Sequence, residues 1–521
     1  MFRPSCRFPV IIAMVGPSLQ ICAENSAIAM RNPKISPAFE PFLSHQNNQI
    51  RRDAIVIYRT PQATASPGRR TERSQSRRDL MPQQASQQQE IETRIFDHYQ
   101  TRSRSLVSGP PLATRSLGLG TLPVATAEVT RLTLAALADA PEVVAVLPNQ
   151  AIHLIQPQAV DFQELLAHEA EQGYTWGLKQ LGVPAAWATT RGAGVTVAVL
   201  DSGVYGDHPA LKDRVKKFVV VDPLGRRIET QPSFDAGRHG THVCGTIAGG
   251  KTEDGVAIGV APEADLIVAG VLVGNATMIT LIEGLAWAIE NGANIINMSL
   301  GLEYYEPLFG KILDVLISQY DILPVVAIGN SNHGNTSSPG NSYNAFSVGA
   351  LEKLELPKPS SSEAPSENTA TTDATADATP VAQQPSAAAP SRAGAATDDL
   401  AVTFFSSGAS LVFPGMEPEP LVNKPDVVAP GAQVYSCIPP EQRPGGTFAY
   451  TYMDGTSMAC PHVAGVAALL MSANPDASAT DVLKTLKETA LHPSGNERRP
   501  DNRWGYGMVH PLAALALIQL A

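Results

Sequence analysis

From Trp176 onward the chain alternates short β-rich runs with stretches of helical periodicity, at 195–200, 266–273, 280–290, 294–298, 309–319 and 323–328. The strand-like runs are apolar on both faces. Such strands need cover on both sides, and strands that alternate with helices are joined by crossovers, which predicts a parallel sheet between two helical layers. A doubly wound, three-layer α/β/α domain is the expected result. Residues 356–399 are rich in Pro, Ala, Ser, Thr and Asp and hold no aromatic residue. They bury too little apolar surface to offset their ordering entropy, and read as a flexible surface insertion.

At 521 residues the chain is long for one core. Residues 51–156 read as a separate small α+β unit in the order β-α-β-α-β-β, close to the β-α-β-β-α-β of a ferredoxin-like domain. Within it, 60–89 is Gln-, Arg-, Ser- and Pro-rich and is expected to be a disordered excursion. Residues 157–175 form a polar linker, and 176–521 the large α/β domain. In the leader, 1–50, Arg3 and Arg7 precede an apolar run over 8–22, with Ala27-Ile28-Ala29 after it. This reads as a secretory signal and predicts an extracytoplasmic location. Gly16 and Pro17 interrupt the run, which keeps a plain disordered N-terminus open.

Beyond the leader no run reaches about 18 uninterrupted apolar residues, so no membrane-spanning body is expected. Cys6, Cys22, Cys244, Cys437 and Cys460 are odd in number and scattered, which fits neither a disulfide framework nor a CxxC metal site. Residues 1–115 carry 16 Lys/Arg against 8 Asp/Glu, and the rest 22 against 41, so the two parts attract each other. Arg69, Arg70, Arg77 and Arg78 lack interleaved aromatic residues to stack bases, and a nucleic-acid arm is not expected.

Three segments hold the candidate chemistry. AVLDSGV places Asp201 at the end of a buried strand, where by itself it is as well read as a turn former. RHGTHVCGTIAGG opens a helix with His239, and His242, one turn in, reads as structural. The two histidines lack the HExxH spacing and a third ligand for zinc. GTSMACPHVAG puts Ser457 at a helix N-terminus, where a lone serine is ordinarily an N-cap, with Pro461 in the first turn.

Taken together, in the order Asp, His, Ser, these segments resemble the subtilisin-like serine proteases over 176–521. The resemblance implies a subtilisin-like fold with Asp201 as the acid, His239 as the general base and Ser457 as the nucleophile. AIGNSN puts Asn330 at the family's oxyanion position. The resemblance further implies a serine endopeptidase acting on polypeptides, with substrate main chain pairing between Gly274, Asn275 and Ala276 on one side and Ser299, Leu300 and Gly301 on the other. Ser337 falls near the floor of the primary pocket. With no acidic residue evident there, apolar or medium-sized side chains are expected.

The unit at 51–156 resembles the family's inhibitory propeptide, which implies an intramolecular inhibitor and a self-processing zymogen cut between about 156 and 174. The chain is expected to be a monomer that needs no cofactor. Where the family often has a calcium-binding Asp, HPAL has Ala210, and one expected ligand is lost. Cys244 and Cys460 lie near the implied active centre, where they read as buried structural cysteines, with sensitivity to bulky thiol reagents as the alternative. A subtilase-fold binding protein without activity is the alternative function, although no triad member is missing.

Overall fold

The strand Thr196–Asp201 is the centre of a nine-stranded sheet, with Asp265–Gly270 on one side and Ile295–Met298 on the other. The structure is a computed structural model describing residues 32–45, 47–60, 70–107, 109–160, 163–306, 309–354, 397–413, 421–443, 446–496 and 498–520. From the centre the sheet continues through Val215–Val221 in one direction and through Leu323–Ala327 and Phe346–Lys353 in the other, all parallel. Val427–Pro430 runs parallel to Phe346–Lys353, and the antiparallel strands Arg227–Ile228 and Leu400–Val402 close the edges.

Chain order reverses at Thr196–Asp201, since the strands that follow it go first to one side and then to the other. In an open parallel sheet such a switch point leaves a crevice at the carboxyl ends of the strands. Asp201 is the last residue of its strand and faces that crevice.

Side-chain alternation assigns the faces. Val197 and Val199 pack with the helices His239–Ala248 and Thr456–Ala473, whereas Ala198 and Leu200 pack with Met278–Glu290 and Gly310–Ser318. Each valine or leucine fully buried in this way stabilises the fold by about 1.5–3 kcal/mol. Thr456–Ala473 is apolar and long enough to cross a membrane by composition, but 89% of it is buried in the protein.

The upstream unit has strands Arg52–Tyr58, Thr114–Ser116, Val124–Val129 and Val143–Pro148, with helices Arg70–Ser103 and Leu134–Ala138. Its order is therefore β-α-β-β-α-β, with the sheet arranged second, third, first, fourth and antiparallel throughout. This differs from the expected β-α-β-α-β-β. The second strand is three residues long, too short for a periodicity signal, and the expected last strand leaves the unit altogether.

Of the expected disordered excursion at 60–89, residues 61–69 lie outside the described residues, and 70–89 instead belong to a 34-residue helix that begins at Arg70. Its polar composition hides a narrow stripe, Ile91, Ile95 and Tyr99 at intervals of four, which is buried against the sheet. Tyr58 donates to Glu92 at 2.6 Å on the same side. Almost all of the expected insertion at 356–399 lies outside the described residues, as does the expected signal at 1–31.

One face of the upstream sheet, through Ile55, Ile57, Val124 and Leu147, joins the same hydrophobic cluster as Ile282, Leu285 and Leu313 of the large domain. Polar contacts rim this junction. The Gly118 N–H donates to Glu283 Oε1 at 3.1 Å and Thr121 Oγ1 to Glu290 Oε1 at 2.9 Å, while Arg227 pairs with both carboxylates. The stretch 157–175, expected to be a linker, holds a strand, Gln158–Val160, and a helix, Gln163–Gln172.

Candidate active site

Asp201 and His239 meet at the mouth of the crevice. Helix His239–Ala248 starts directly over the end of the central strand, and its close approach requires Gly240, where a Cβ would sit 2.0 Å from the Gly203 carbonyl oxygen. His239 Nδ1 lies 2.8 Å from Asp201 Oδ1 and 3.0 Å from Oδ2, with both side chains buried. A carboxylate on Nδ1 fixes the tautomer that leaves Nε2 as the acceptor. Among the described residues Nε2 has no hydrogen-bond partner.

Two residues that the sequence reading passed over hold this pair. The Ser202 N–H donates to Asp201 Oδ1 at 2.7 Å, and Ser202 Oγ donates to Asp235 Oδ1 at 2.7 Å. Asp235 Oδ2 accepts from the Thr241 N–H at 2.8 Å, so Asp235 caps the helix that carries His239 where Arg238 provides no side-chain cap. The signal was an Asp just ahead of a helix start. His242 is structural, as expected: its Nε2 lies 3.0 Å from the Val434 carbonyl, and burial pushes its pKa down to about 3.

Ser457 is the second residue of Thr456–Ala473 and is fully buried. Pro461 lies in the helix interior and not in its first turn. A proline there leaves the carbonyl four residues earlier without its helical donor, and that carbonyl, of Ser457, accepts from Ser299 Oγ at 3.2 Å. Asn330 is oriented by Thr456, whose N–H and Oγ1 both donate to Asn330 Oδ1, at 2.9 and 2.8 Å. This turns Asn330 Nδ2 into the groove.

The groove is filled by the protein's own chain. Ile152 N–H donates to the Ala276 carbonyl at 3.2 Å, and Ala151 bridges Thr277. His153–Leu154 pairs antiparallel with Leu300–Gly301, and Ile155 N–H reaches the Ser299 carbonyl at 3.4 Å. The Ile155 carbonyl then accepts from Ser457 Oγ at 2.8 Å, and the Gln156 carbonyl from Asn330 Nδ2 at 3.0 Å. Of the two expected edges, Ser299, Leu300, Gly301 and Ala276 make these bonds. Gly274 and Asn275 stand beside Ala276 without main-chain bonds to the strap, and Thr277 takes a place not anticipated.

Ser337, with Gly301, Leu302, Asn330 and Ser331, lines a cavity of about 150 Å³. Glu303 lines it too, which corrects the expectation that no acidic residue lies there. At Ala210 the carbonyl accepts from the Gly250 N–H at 2.8 Å, and Glu253 and Asp254 are exposed. Among the described residues no three His, Cys, Asp or Glu side chains cluster for a metal. Cys244, Cys437 and Cys460 are free and buried. Burial pushes all three thiols up, that of Cys437 to about 12, which favours the buried structural reading over thiol-reagent sensitivity.

Comparison with known families matches residues 192–507 to the Subtilase family. The chain is similar to M-protease of Shouchella clausii (strain KSM-K16), 33% identical over 375 residues, covering 69% of this chain and 77% of that protein. It is similar to subtilisin E of Bacillus subtilis (strain 168), 31% identical over 336 residues, covering 63% and 69%. In fold it is similar to the crystal structure of fervidolysin from Fervidobacterium pennivorans, a keratinolytic enzyme related to subtilisin, with a TM-score of 0.58 and 23% identity, covering 91% of this chain and 62% of that one.

Proposed function

The chain belongs to the subtilase family and is a serine endopeptidase, and from that premise we propose that Asp201, His239 and Ser457 are its catalytic triad and that it is made as a self-processing zymogen. The observation that carries this reading is the strap at 151–156, laid through the groove as a substrate would be, with a carbonyl on Ser457 Oγ.

In turnover, Ser457 Oγ attacks the scissile carbonyl carbon while His239 Nε2 takes its proton. Asp201 stabilises the resulting imidazolium without becoming protonated. Asn330 Nδ2 and the Ser457 N–H donate to the oxyanion as it forms. Collapse of this intermediate breaks the C–N bond, and His239 returns the proton to the leaving amine. Water, deprotonated by the same imidazole, then attacks the acyl-enzyme, which releases the carboxylate product and restores the Ser457 hydroxyl.

The strap's register supports Ile155–Gln156 as the bond presented for self-processing, since Ile155 supplies both the carbonyl at Ser457 and the N–H at Ser299, while Asn330 Nδ2 holds the next carbonyl, that of Gln156. The upstream unit then acts as an intramolecular inhibitor. Polypeptides are the substrates, bound as extended main chain by pairing that makes little demand on side chains. We place the protein outside the cytoplasm on the reading of the leader as a secretory signal.

The test is intact mass of freshly purified wild type beside Ser457→Ala. Wild type is expected to shorten to a chain beginning at Gln156, or at its cyclised form lighter by one ammonia, and the variant to stay whole. A variant that shortens equally would remove Ser457 from the role of nucleophile.

A further inference from the structure

The chain's contact with the groove continues past the bond presented to Ser457. Gln158–Val160 pairs antiparallel with the end of the strand Gly446–Asp454, with Gln158 opposite Asp454, Ala159 opposite Met453 and Val160 opposite Tyr452. That strand leads through Gly455 and Thr456 into Ser457, so this pairing lies on the leaving-group side.

The helix Gln163–Gln172 then docks on the catalytic domain. Leu165 joins the core of the large sheet, and the buried Glu169 accepts from the Trp176 N–H and from the Tyr452 hydroxyl, each at 2.7 Å. Tyr452 therefore serves the arm twice, by main-chain pairing with Val160 and by side-chain bonding to Glu169. Behind the helix, Ala257 fixes both flanks of Tyr174: its N–H donates to the Gly173 carbonyl at 3.0 Å and its carbonyl accepts from the Thr175 N–H at 3.2 Å.

We propose that cutting Ile155–Gln156 leaves the new N-terminal arm, with its strand Gln158–Val160 and helix Gln163–Gln172, seated along the leaving-group side of the groove as a tethered product, with Glu169 as its latch. This rests on the self-processing reading above. The cut removes none of the bonds that hold the arm, because all of them lie at the Gln156 carbonyl or beyond it. A covalently tethered strand also competes at an effective concentration of about millimolar, so even weak pairing keeps it in place. Freeing Glu169 breaks two hydrogen bonds to a buried carboxyl group, which raises the barrier to casual release. The cut enzyme thus accepts substrates with a small leaving group while excluding polypeptides that extend past the scissile bond, until the arm is detached or removed by a second cut.

The test compares two substrates on wild type that has cut itself and has been stripped of the upstream fragment by ion exchange in mild urea. One is a peptide p-nitroanilide, which needs only the acyl side. The other is an internally quenched peptide that extends four residues past the scissile bond.

With the N-terminus at Gln156, Glu169→Ala is expected to raise kcat/KM for the extended peptide by about tenfold, mainly through KM, and to leave the anilide unchanged. Tyr452→Phe keeps the ring and removes only the hydroxyl; it should move the same ratio in the same direction if the alanine variant folds poorly. An N-terminus at Gln156 with equal effects on both substrates would overturn the arm while leaving self-processing intact. A mature N-terminus beyond 172 would overturn it too. Wild type that never cuts itself would overturn both readings.

Discussion

The Ser457 hydroxyl is bonded to the Ile155 carbonyl oxygen at 2.8 Å, while His239 Nε2, the atom that should receive its proton, has no partner among the described residues. The Ser457 proton is thus engaged by the chain's own strap, while Asp201 and His239 are already paired.

Oxyanion stabilisation is separable from the triad. Asn330→Ala is expected to lower kcat by about 10²- to 10³-fold with little change in KM, the size known for subtilisin itself. Thr456→Val removes one of the two bonds that orient Asn330 and should cost less, about tenfold. Steady-state kinetics on a peptide anilide reads both, and a Thr456→Val variant worse than Asn330→Ala would contradict this ordering.

Seating of the leaving-side arm should weaken as pH rises. Burial pushes the Glu169 carboxyl up to about 7 from an ordinary 4.5, against the opposing effect of the Trp176 and Tyr452 bonds. Between those values the seated arm holds a proton that a released arm gives up, so seating loses about 3 kcal/mol across the window and levels off above it. Tyr435 and Tyr452 also face Glu169 but are pushed up by burial, and Asp454, raised to about 6, titrates in the same window. His168 and Glu171 lie on the same helix. Hydrogen exchange of 163–172 in Ser457→Ala, corrected for intrinsic rates, should show less protection at pH 8 than at pH 5. Glu169→Gln should flatten the difference.

A buried charge cluster sets acid stability. Burial alone would raise the Asp426 carboxyl, but Lys424 and Lys487, each 2.7 Å away, pull it down to about 2 from an ordinary 3.8. A depressed carboxyl stabilises the fold above its unfolded value and loses that contribution as pH falls through the folded one. Roughly 2 kcal/mol should therefore disappear between about pH 4 and 2. Lys424→Met should cost about 3 kcal/mol at neutral pH by leaving Asp426 under-paired. Denaturant titration of the Ser457→Ala protein, which cannot digest itself, measures both.

The buried thiols should be silent. Peptides holding Cys244, Cys437 and Cys460 should stay unmodified by an aromatic disulfide reagent in the native Ser457→Ala protein and react fully in denaturant. Rapid native labelling of any of the three would contradict their burial.

The strand end at Asp201 and the helix starts at His239 and Ser457 were legible as local events, but their roles came only from the resemblance to the subtilisin-like proteases, since alone Asp201 reads as a turn former and Ser457 as an N-cap. The large sheet was legible locally too, through runs apolar on both faces. Asp235 and Thr456 were not, because their value lies in which distant atom they reach. Gln158–Val160 is a strand only because Gly446–Asp454 offers it an edge, and no periodicity in three residues announces that. Arg70–Ser103 misled by composition, since a helix resting on one sheet needs only its Ile91, Ile95 and Tyr99 stripe to be apolar.

The hydrophobic cluster shared by Ile55 and Ile57 with Ile282 and Leu313 belongs to neither side of the processing site. In the self-processing proposed above, hydrolysis at the groove would divide the covalent chain without dividing that core. Maturation is then two separate acts, a chemical one that takes a single turnover and a physical one in which two pieces of one packed interior must part. A freshly cut molecule would still migrate as one body, and its first polypeptide substrate would wait both for that interior to come apart and for the leaving-side arm to clear the groove.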